Sequence, residues 1–370
     1  MKWIKTLKPL VPLFMFMFFI RDRESFKPYP KLFNFFIPFL IIATIGLSDS
    51  INFQVGFQKT ISYVLMYLCV PLFVVILHRR DKERFWKAVL TFIIGMLTIG
   101  IILRFVAPDI AMKVGRFKGV LGNPNGLGLF LNLTFILWVL IRRFKLASFT
   151  KKENMYIVFI ILLSLVWTGS RNGMMSMFLF YVTYKMIQVN WFLAIVILAA
   201  ILTFNDQLFI VFVGIVEFFG LQGFFRIDSI EEGSGRSIAW VFAWQEIQDY
   251  FFIGGGFGHD EHIMRPNYKW LSMQGHSGGV HNSYLSMWMD AGVLGIAAYF
   301  GAIIAIVGKA MKNNYIIIAF ITSVAFNMYF ESWLVASLNP FTIIYLTILT
   351  IFIGNLSGED YVQDEFSIED

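Results

Sequence analysis

The run 86-WKAVLTFIIGMLTIGIILRFV-106 decides the fold. It holds 21 residues, with charge only at Lys87 and Arg104 near its ends. A membrane-spanning helix needs about 20 mostly apolar residues, because the hydrocarbon core is about 30 Å thick and each helical residue rises about 1.5 Å. Backbone in lipid must satisfy its own hydrogen bonds, so helices or closed barrels are the only solutions. A continuous apolar run, without the alternation of a barrel strand, selects the helix. Similar runs lie near 9–20, 32–47, 59–77, 125–141, 154–169, 172–188, 190–204, 284–308, 314–333 and 338–355. A further apolar stretch, 208–225, contains Glu217 and Gly220 and reads as re-entrant or interfacial. The expected fold class is all-α, a polytopic transmembrane helical bundle of 10–11 spans with one large extracytoplasmic loop.

Composition points the same way. Of 370 residues, 58% are hydrophobic and 15% charged, and the mean hydropathy is +0.69. Soluble domains sit nearer 45–50% and about 25%. An ordinary soluble enzyme, a disordered chain and a nucleic-acid-binding domain are therefore excluded. The net charge of +6 fits basic residues retained on the cytoplasmic side of a membrane. Cys69 is the single cysteine, so neither an intrachain disulfide nor a cysteine metal site is expected. Lys2, Lys5 and Lys8 precede an apolar stretch with no small-residue cleavage site, so no cleavable signal is expected.

Basic loops set the orientation. They contain Arg21, Arg23, Lys27 and Lys31; Arg79, Arg80, Lys82, Arg84 and Lys87; Arg142, Arg143, Lys145, Lys151 and Lys152; and Lys309 with Lys312. With the spans above, all fall on one face, the cytoplasmic one. If 9–20 crosses the membrane, the N-terminal lysines disagree, and Pro9 and Pro12 weaken that segment. The chain divides into N-terminal transmembrane helices at 1–204, an extracytoplasmic loop region at 205–282, C-terminal transmembrane helices at 283–357 and an acidic cytoplasmic tail at 358–370. Residues 107–124, the tip 169–172 and the segment 205–282 then face outward. No internal repeat supports an inverted-repeat transporter.

Few charges lie outside the cytoplasmic loops. Arg116 stands in GRFKGVLGNPNGLG, where Asn123-Pro124-Asn125 ends a turn at a helix N-terminus. Backbone N–H groups there, with an adjacent arginine, suit an anion. A loop arginine meeting lipid headgroups is the plainer alternative. Arg171 in TGSRNG sits in a tight turn between apolar runs, where snorkelling to headgroups is the default. Arg236 in GSGRSIAWVFAWQEI falls in the first turn of a helix that Ser234 can cap. A cation there opposes the helix dipole and calls for an anion, either a ligand or Glu231 or Glu232.

Four histidines, His259, His262, His276 and His281, lie within 259–281. HDEH could place two imidazoles on one helix face, yet no specific zinc pattern is present, and the neighbouring GGGFG reads as a flexible loop. His281 differs: it opens HNSYL at the mouth of an apolar helix, where a general base near neutral pH could stand. Asp290, further along that helix, and Glu331 are intramembrane acids and hence candidates for function. Bracing the bundle by pairing with an arginine is the favoured role for both.

The ordered set GRFKGVLGNPNGLG, TGSRNGMMS, SGRSIAW, IGGGFGH and HNSYLSMWMDAGVLG resembles the O-antigen ligase and O-antigen polymerase family of polytopic membrane glycosyltransferases, over roughly residues 100–300. One departure is Tyr250-Phe251-Phe252, where the family often has a proline. The resemblance implies transfer of a saccharide from undecaprenyl pyrophosphate to a sugar hydroxyl on the outer face of the bacterial inner membrane. The acceptor is another lipid-linked repeat in a polymerase or lipid A core in a ligase. Carried over by motif, Arg116 and Arg236 hold the pyrophosphate, Arg171 supports the pocket and His281 activates the acceptor hydroxyl. Asn123, Asn125, Asn282, Tyr284 and Asp290 support them. No metal or other cofactor is implied. Membrane lipids are partners, nucleic acid is not, and a polysaccharide flippase or chain-length regulator are candidate partners. A transporter is a competing reading that the one-sided distribution of polar groups disfavours.

Overall fold

The computed structural model describes residues 31–190, 236–276, 278–334 and 339–353, with scattered single positions before 31 and between 192 and 223. The expected spans at 9–20 and 190–204, the stretch 208–225, the Ser234 cap, Glu231, Glu232 and the acidic tail lie wholly or largely outside the described residues.

Each expected span within the described residues is a helix. In chain order these are α1 (Lys31–Ile45, continued by a 3-10 turn Gly46–Asp49), α2 (Phe53–Arg80) and α3 (Lys82–Val106). A short α4 (Pro108–Ala111) leads into a hairpin of β1 (Met112–Lys113) and β2 (Arg116–Phe117). Then follow α5 (Pro124–Arg143), α6 (Lys151–Thr168) and α7 (Arg171–Val189). The expected loop region contributes α8 (Arg236–Asp249) and α9 (His259–Met273). Next come α10 (Ser283–Met311), α11 (Ile316–Phe330) and α12 (Pro340–Ile353). Among the described residues, α1 with its 3-10 turn, α2, α3, α5 and α10 are long and apolar enough to cross a membrane, and α11 and α12 are shorter apolar helices.

The helices begin where short polar side chains satisfy orphan N–H groups. The Asn52 side chain accepts from Val55, and Asp81 accepts from Arg84 at 3.0 Å. Thr150 and Glu153 form a reciprocal capping box. Arg79 and Arg80 close α2, where a cation favours the carbonyl end of the dipole. Packing then places the helices: α11 lies along α7, α10 along α1, and α5 against α6 and α7.

Two glycine-dependent contacts position the functional region. Gly128 on α5 meets Gly173 on α7 backbone to backbone; a Cβ on Gly173 would fall 2.8 Å from the Gly128 carbonyl carbon. Small residues at such crossings let helices approach closely. Gly292 breaks α10, with φ +66 and ψ −178. The freed N–H groups of Val293 and Leu294 donate to the carbonyls of Phe251 and Phe252 at 2.8 and 3.2 Å. The Tyr250-Phe251-Phe252 departure thus shapes a segment that repairs the break in α10. The expectation of a flexible GGGFG loop is corrected here: residues 254–260 are buried, and the Gly255 N–H donates to Met289 at 2.9 Å. Residues between two helices that must satisfy buried carbonyls and amides are held in place, however rich in glycine.

Candidate active site

The β1–β2 hairpin turns through Val114 and Gly115, both with positive φ, as a two-residue primed turn requires. It carries Arg116 to the C-terminal end of α6. There Nε donates to the Thr168 carbonyl at 2.7 Å, and Nη2 donates to Gly169 at 3.3 Å. Nη2 also reaches Oδ1 of Asn125 at 2.7 Å. Asn125 is held by the Asn123 side chain, which accepts from its N–H at 3.0 Å. Arg116 therefore links the TGSRNG turn to the start of α5.

The centre of the arrangement is Glu331, the residue at which α11 ends in extended backbone. Its Oε1 accepts from Asn125 Nδ2 at 3.0 Å and from Arg236 Nη2 at 3.2 Å. Its Oε2 lies 3.3 Å from Nδ1 of His281. The two carboxylate oxygens divide the work, one toward the cation and amide and one toward the imidazole. Glu331 is the anion that the placement of Arg236 at the start of α8 required. The Arg236 guanidinium also stands over the Phe330 ring, 5.8 Å from its centroid.

His281 precedes α10 in the left-handed region, with φ +50. A non-glycine residue there is uncommon and is held by its surroundings. The holding contacts follow in sequence. The Asn282 N–H donates to Ser332 Oγ at 2.8 Å, and Ser283 Oγ donates to the Glu331 carbonyl at 2.6 Å. The Asn282 side chain caps α10 by accepting from Tyr284 and Leu285. Tyr284 turns toward α11, where its hydroxyl donates to Ala325 at 3.1 Å. His276, 2% exposed, packs edge-on against His281 at 5.8 Å between ring centroids. Burial lowers the pKa of His276, so its imidazole favours the neutral form.

A cavity of about 350 Å³ opens beside this network. Asn123, Asn125, His281 and Glu331 line one side, and Asp260, Glu261, Met264 and Tyr268 of α9 line another. Trp333, Leu121, Leu129 and Phe341 are also part of its wall. Arg116 and Arg236 are one hydrogen bond removed from it, bonded to the lining residues Asn125 and Glu331. Arg171 opens α7, half-buried, next to the carbonyls that Arg116 engages.

Asp290 departs from expectation. It accepts from the N–H groups of Gly258 and Asp260, both at 2.9 Å, and so fastens the first turn of α9 from a neighbouring helix. Its expected arginine partner is corrected to these amides, because the break at Gly292 brings the 251–258 segment onto α10. His259 is buried at the start of α9, and burial, aided by neighbouring His262, holds its imidazole down to about 4. Burial likewise pushes the Asp260 carboxyl up to about 6, although Lys59 opposes it.

The network links residues 116, 125, 236, 281 and 331 across three of the five sequence motifs. Residues 156–300 match the family model described as O-antigen ligase. That stretch of the chain is therefore similar to the O-antigen ligase family. No curated protein and no solved structure matches it. The match and the helices long and apolar enough to cross a membrane together support a multi-pass membrane protein of the O-antigen ligase or polymerase type. The matched region ends inside α10, so Glu331 lies beyond it. Sequence reasoning made Glu331 a candidate and favoured its pairing with an arginine, which Arg236 supplies, but did not name His281 and Asn125 as its further partners. The signal that could have raised it was the surplus of guanidinium groups on the expected outer face, which needed an anion from the end of an apolar run.

Proposed function

We propose that this protein polymerises undecaprenyl-pyrophosphate-linked oligosaccharide repeats of a surface polysaccharide on the outer face of the cytoplasmic membrane. The observation that carries the reading is the convergence of His281, Arg236 and the Asn125–Arg116 pair on Glu331 at the edge of one cavity.

Glu331 accepts from Nδ1–H of His281, which leaves Nε2 with the lone pair of a base. Nε2 takes the proton of the acceptor hydroxyl as its oxygen forms a bond to the donor's anomeric carbon. Attack comes from the face opposite the leaving group, so the configuration inverts. The bond from the anomeric carbon to the pyrophosphate oxygen breaks, and undecaprenyl pyrophosphate departs with the electron pair. Arg116, Arg236 and Arg171 supply fixed cations for that charge, without a metal. Guanidinium is always protonated and offers phosphate a fork of donors. Interactions that strengthen as the leaving group gains charge lower the barrier. For this to happen, the phosphate displaces Glu331 from Arg236. Segment 205–282 faces outward, and a flippase supplies the lipid-linked repeat.

Transfer to lipid A core, the ligase reading, is favoured by the description of the matched family. Purified protein given only lipid-linked repeats separates the two. A ladder of lengths is expected for the polymerase. Product that forms only when a core acceptor is added establishes the ligase, and no product from either overturns both.

A further inference from the structure

The face of the cavity contributed by α9 has no part in handling the pyrophosphate. Asp260, Glu261, Met264 and Tyr268 follow one another at helical spacing and turn a single face of α9 toward His281 and Glu331. Two of the four are carboxylates. Glu261 is tethered by Lys59 at 3.1 Å and by Arg265 at 2.9 Å, and Asp260 Oδ1 accepts from the Glu261 N–H at 2.6 Å. Carboxylates so held are fixed acceptors with lone pairs to spare. A dianionic group is repelled by such a wall.

An independent feature lies in the same cavity. Trp333 lines it, is 3% exposed, and its indole N–H has no acceptor among the described residues. A buried donor without a partner is unfavourable and is rare in folded proteins. The residues that line the cavity therefore include one with an unmet donor and, on α9, two carboxylates whose oxygens can each accept once more. A phosphate could meet only the donor and an ammonium only the carboxylates. A hydroxyl both donates and accepts, so a polyol satisfies both. The Tyr268 ring, 38% exposed, adds a flat apolar surface of the kind that covers a sugar's C–H face.

We infer that Asp260, Glu261, Tyr268 and Trp333 form the subsite for the acceptor saccharide, which places its reacting hydroxyl toward His281. This rests on the transferase reading above and assigns its second substrate to a definite wall.

The test uses the full chain in lipid nanodiscs and two probes. One is the oligosaccharide repeat released from its lipid by mild acid; the other is undecaprenyl pyrophosphate. Trp333→Phe keeps an aromatic ring and removes the N–H. It is expected to weaken binding of the released oligosaccharide about tenfold, as loss of one hydrogen bond does, with undecaprenyl pyrophosphate affinity within about twofold of wild type. Tyr268→Ala, at a partly exposed position, should show the same selectivity and serves if Trp333→Phe misfolds. Unchanged oligosaccharide binding in folded variants, or equal loss for both probes, overturns the subsite. If wild type binds the oligosaccharide but not undecaprenyl pyrophosphate, the transferase reading fails and the sugar site stands.

Discussion

His281 and Glu331, fifty residues apart in sequence, meet with Nδ1 3.3 Å from Oε2. The contact forms because the chain on either side of it is stapled. Ser283 donates to the Glu331 carbonyl and accepts from the Trp333 backbone N–H at 3.1 Å, and Ser286 bonds Ser332 at 2.8 Å. The backbone that presents the carboxylate and the backbone that presents the imidazole are one rigid unit. Glu331→Gln removes the charge that selects the imidazole tautomer. It should lower the transfer rate about 10²-fold or more, the scale of a general-base contribution, while size-exclusion behaviour is unchanged. His281→Ala should abolish transfer. Wild-type turnover of lipid-linked repeats in either variant removes the base assignment.

Arg116 donates to Thr168, Gly169 and Asn125 through two nitrogens in a fixed plane. A lysine ammonium is a compact point charge and cannot reproduce that planar fork of donors. Arg116→Lys is expected to lose most transfer activity, by about tenfold or more, and to lower the thermal midpoint by a few degrees as the Thr168 and Gly169 carbonyls lose a donor. A variant with wild-type turnover would show that a point charge is enough.

A methyl group on Gly128 would lie 2.6 Å from Cβ of Ser170. Gly128→Ala should therefore force α5 and α7 apart, at about 1–3 kcal/mol of stability. Because Arg116 joins the two helices' N-terminal ends, activity should fall with it. Thermal denaturation in detergent checks the first effect and turnover the second.

His259 and Asp260 give opposite pH dependences. The His259 imidazole, ordinarily 6.5, is held down to about 4. Between these values the unfolded chain binds a proton that the folded chain refuses, so stability falls as pH drops from about 6.5 toward 4. Asp260, raised from 3.8 to about 6, takes up its proton first in the folded state, so it adds stability as pH drops through about 6. His259→Asn deletes the first dependence and keeps the second. Its thermal midpoint should rise relative to wild type from pH 7 to pH 5; a constant gap between the two proteins would contradict the assignment.

Cys69 is buried, which leaves a clean background for thiol labelling. Ser272→Cys on α9 is exposed and should react with an impermeant reagent on spheroplasts. Labelling that appears only after lysis would invert the orientation.

The helices were legible because each apolar run carries its own hydropathy, length and cap. Asn52, Asp81, Thr150 and Ser170 stand at the starts of helices they do cap. Arg116, Arg236 and His281 were legible as isolated charges and a histidine among apolar residues. Glu331 was visible as an acid near the end of a run, but not as their common partner. The α9 face and the Trp333 N–H were not legible as parts of a shared wall at all, and the glycine-rich segment was misread as loose.

Local sequence by itself determined that the chain is a helical membrane protein, since burying a backbone in hydrocarbon leaves no other solution to a 20-residue apolar run. Only the tertiary structure decided which charges meet. A carboxylate chooses its partners by distance, and distance here depends on the Gly128–Gly173 crossing and on the break at Gly292. Those contacts join residues far apart in the chain, so no periodicity or local composition encodes them.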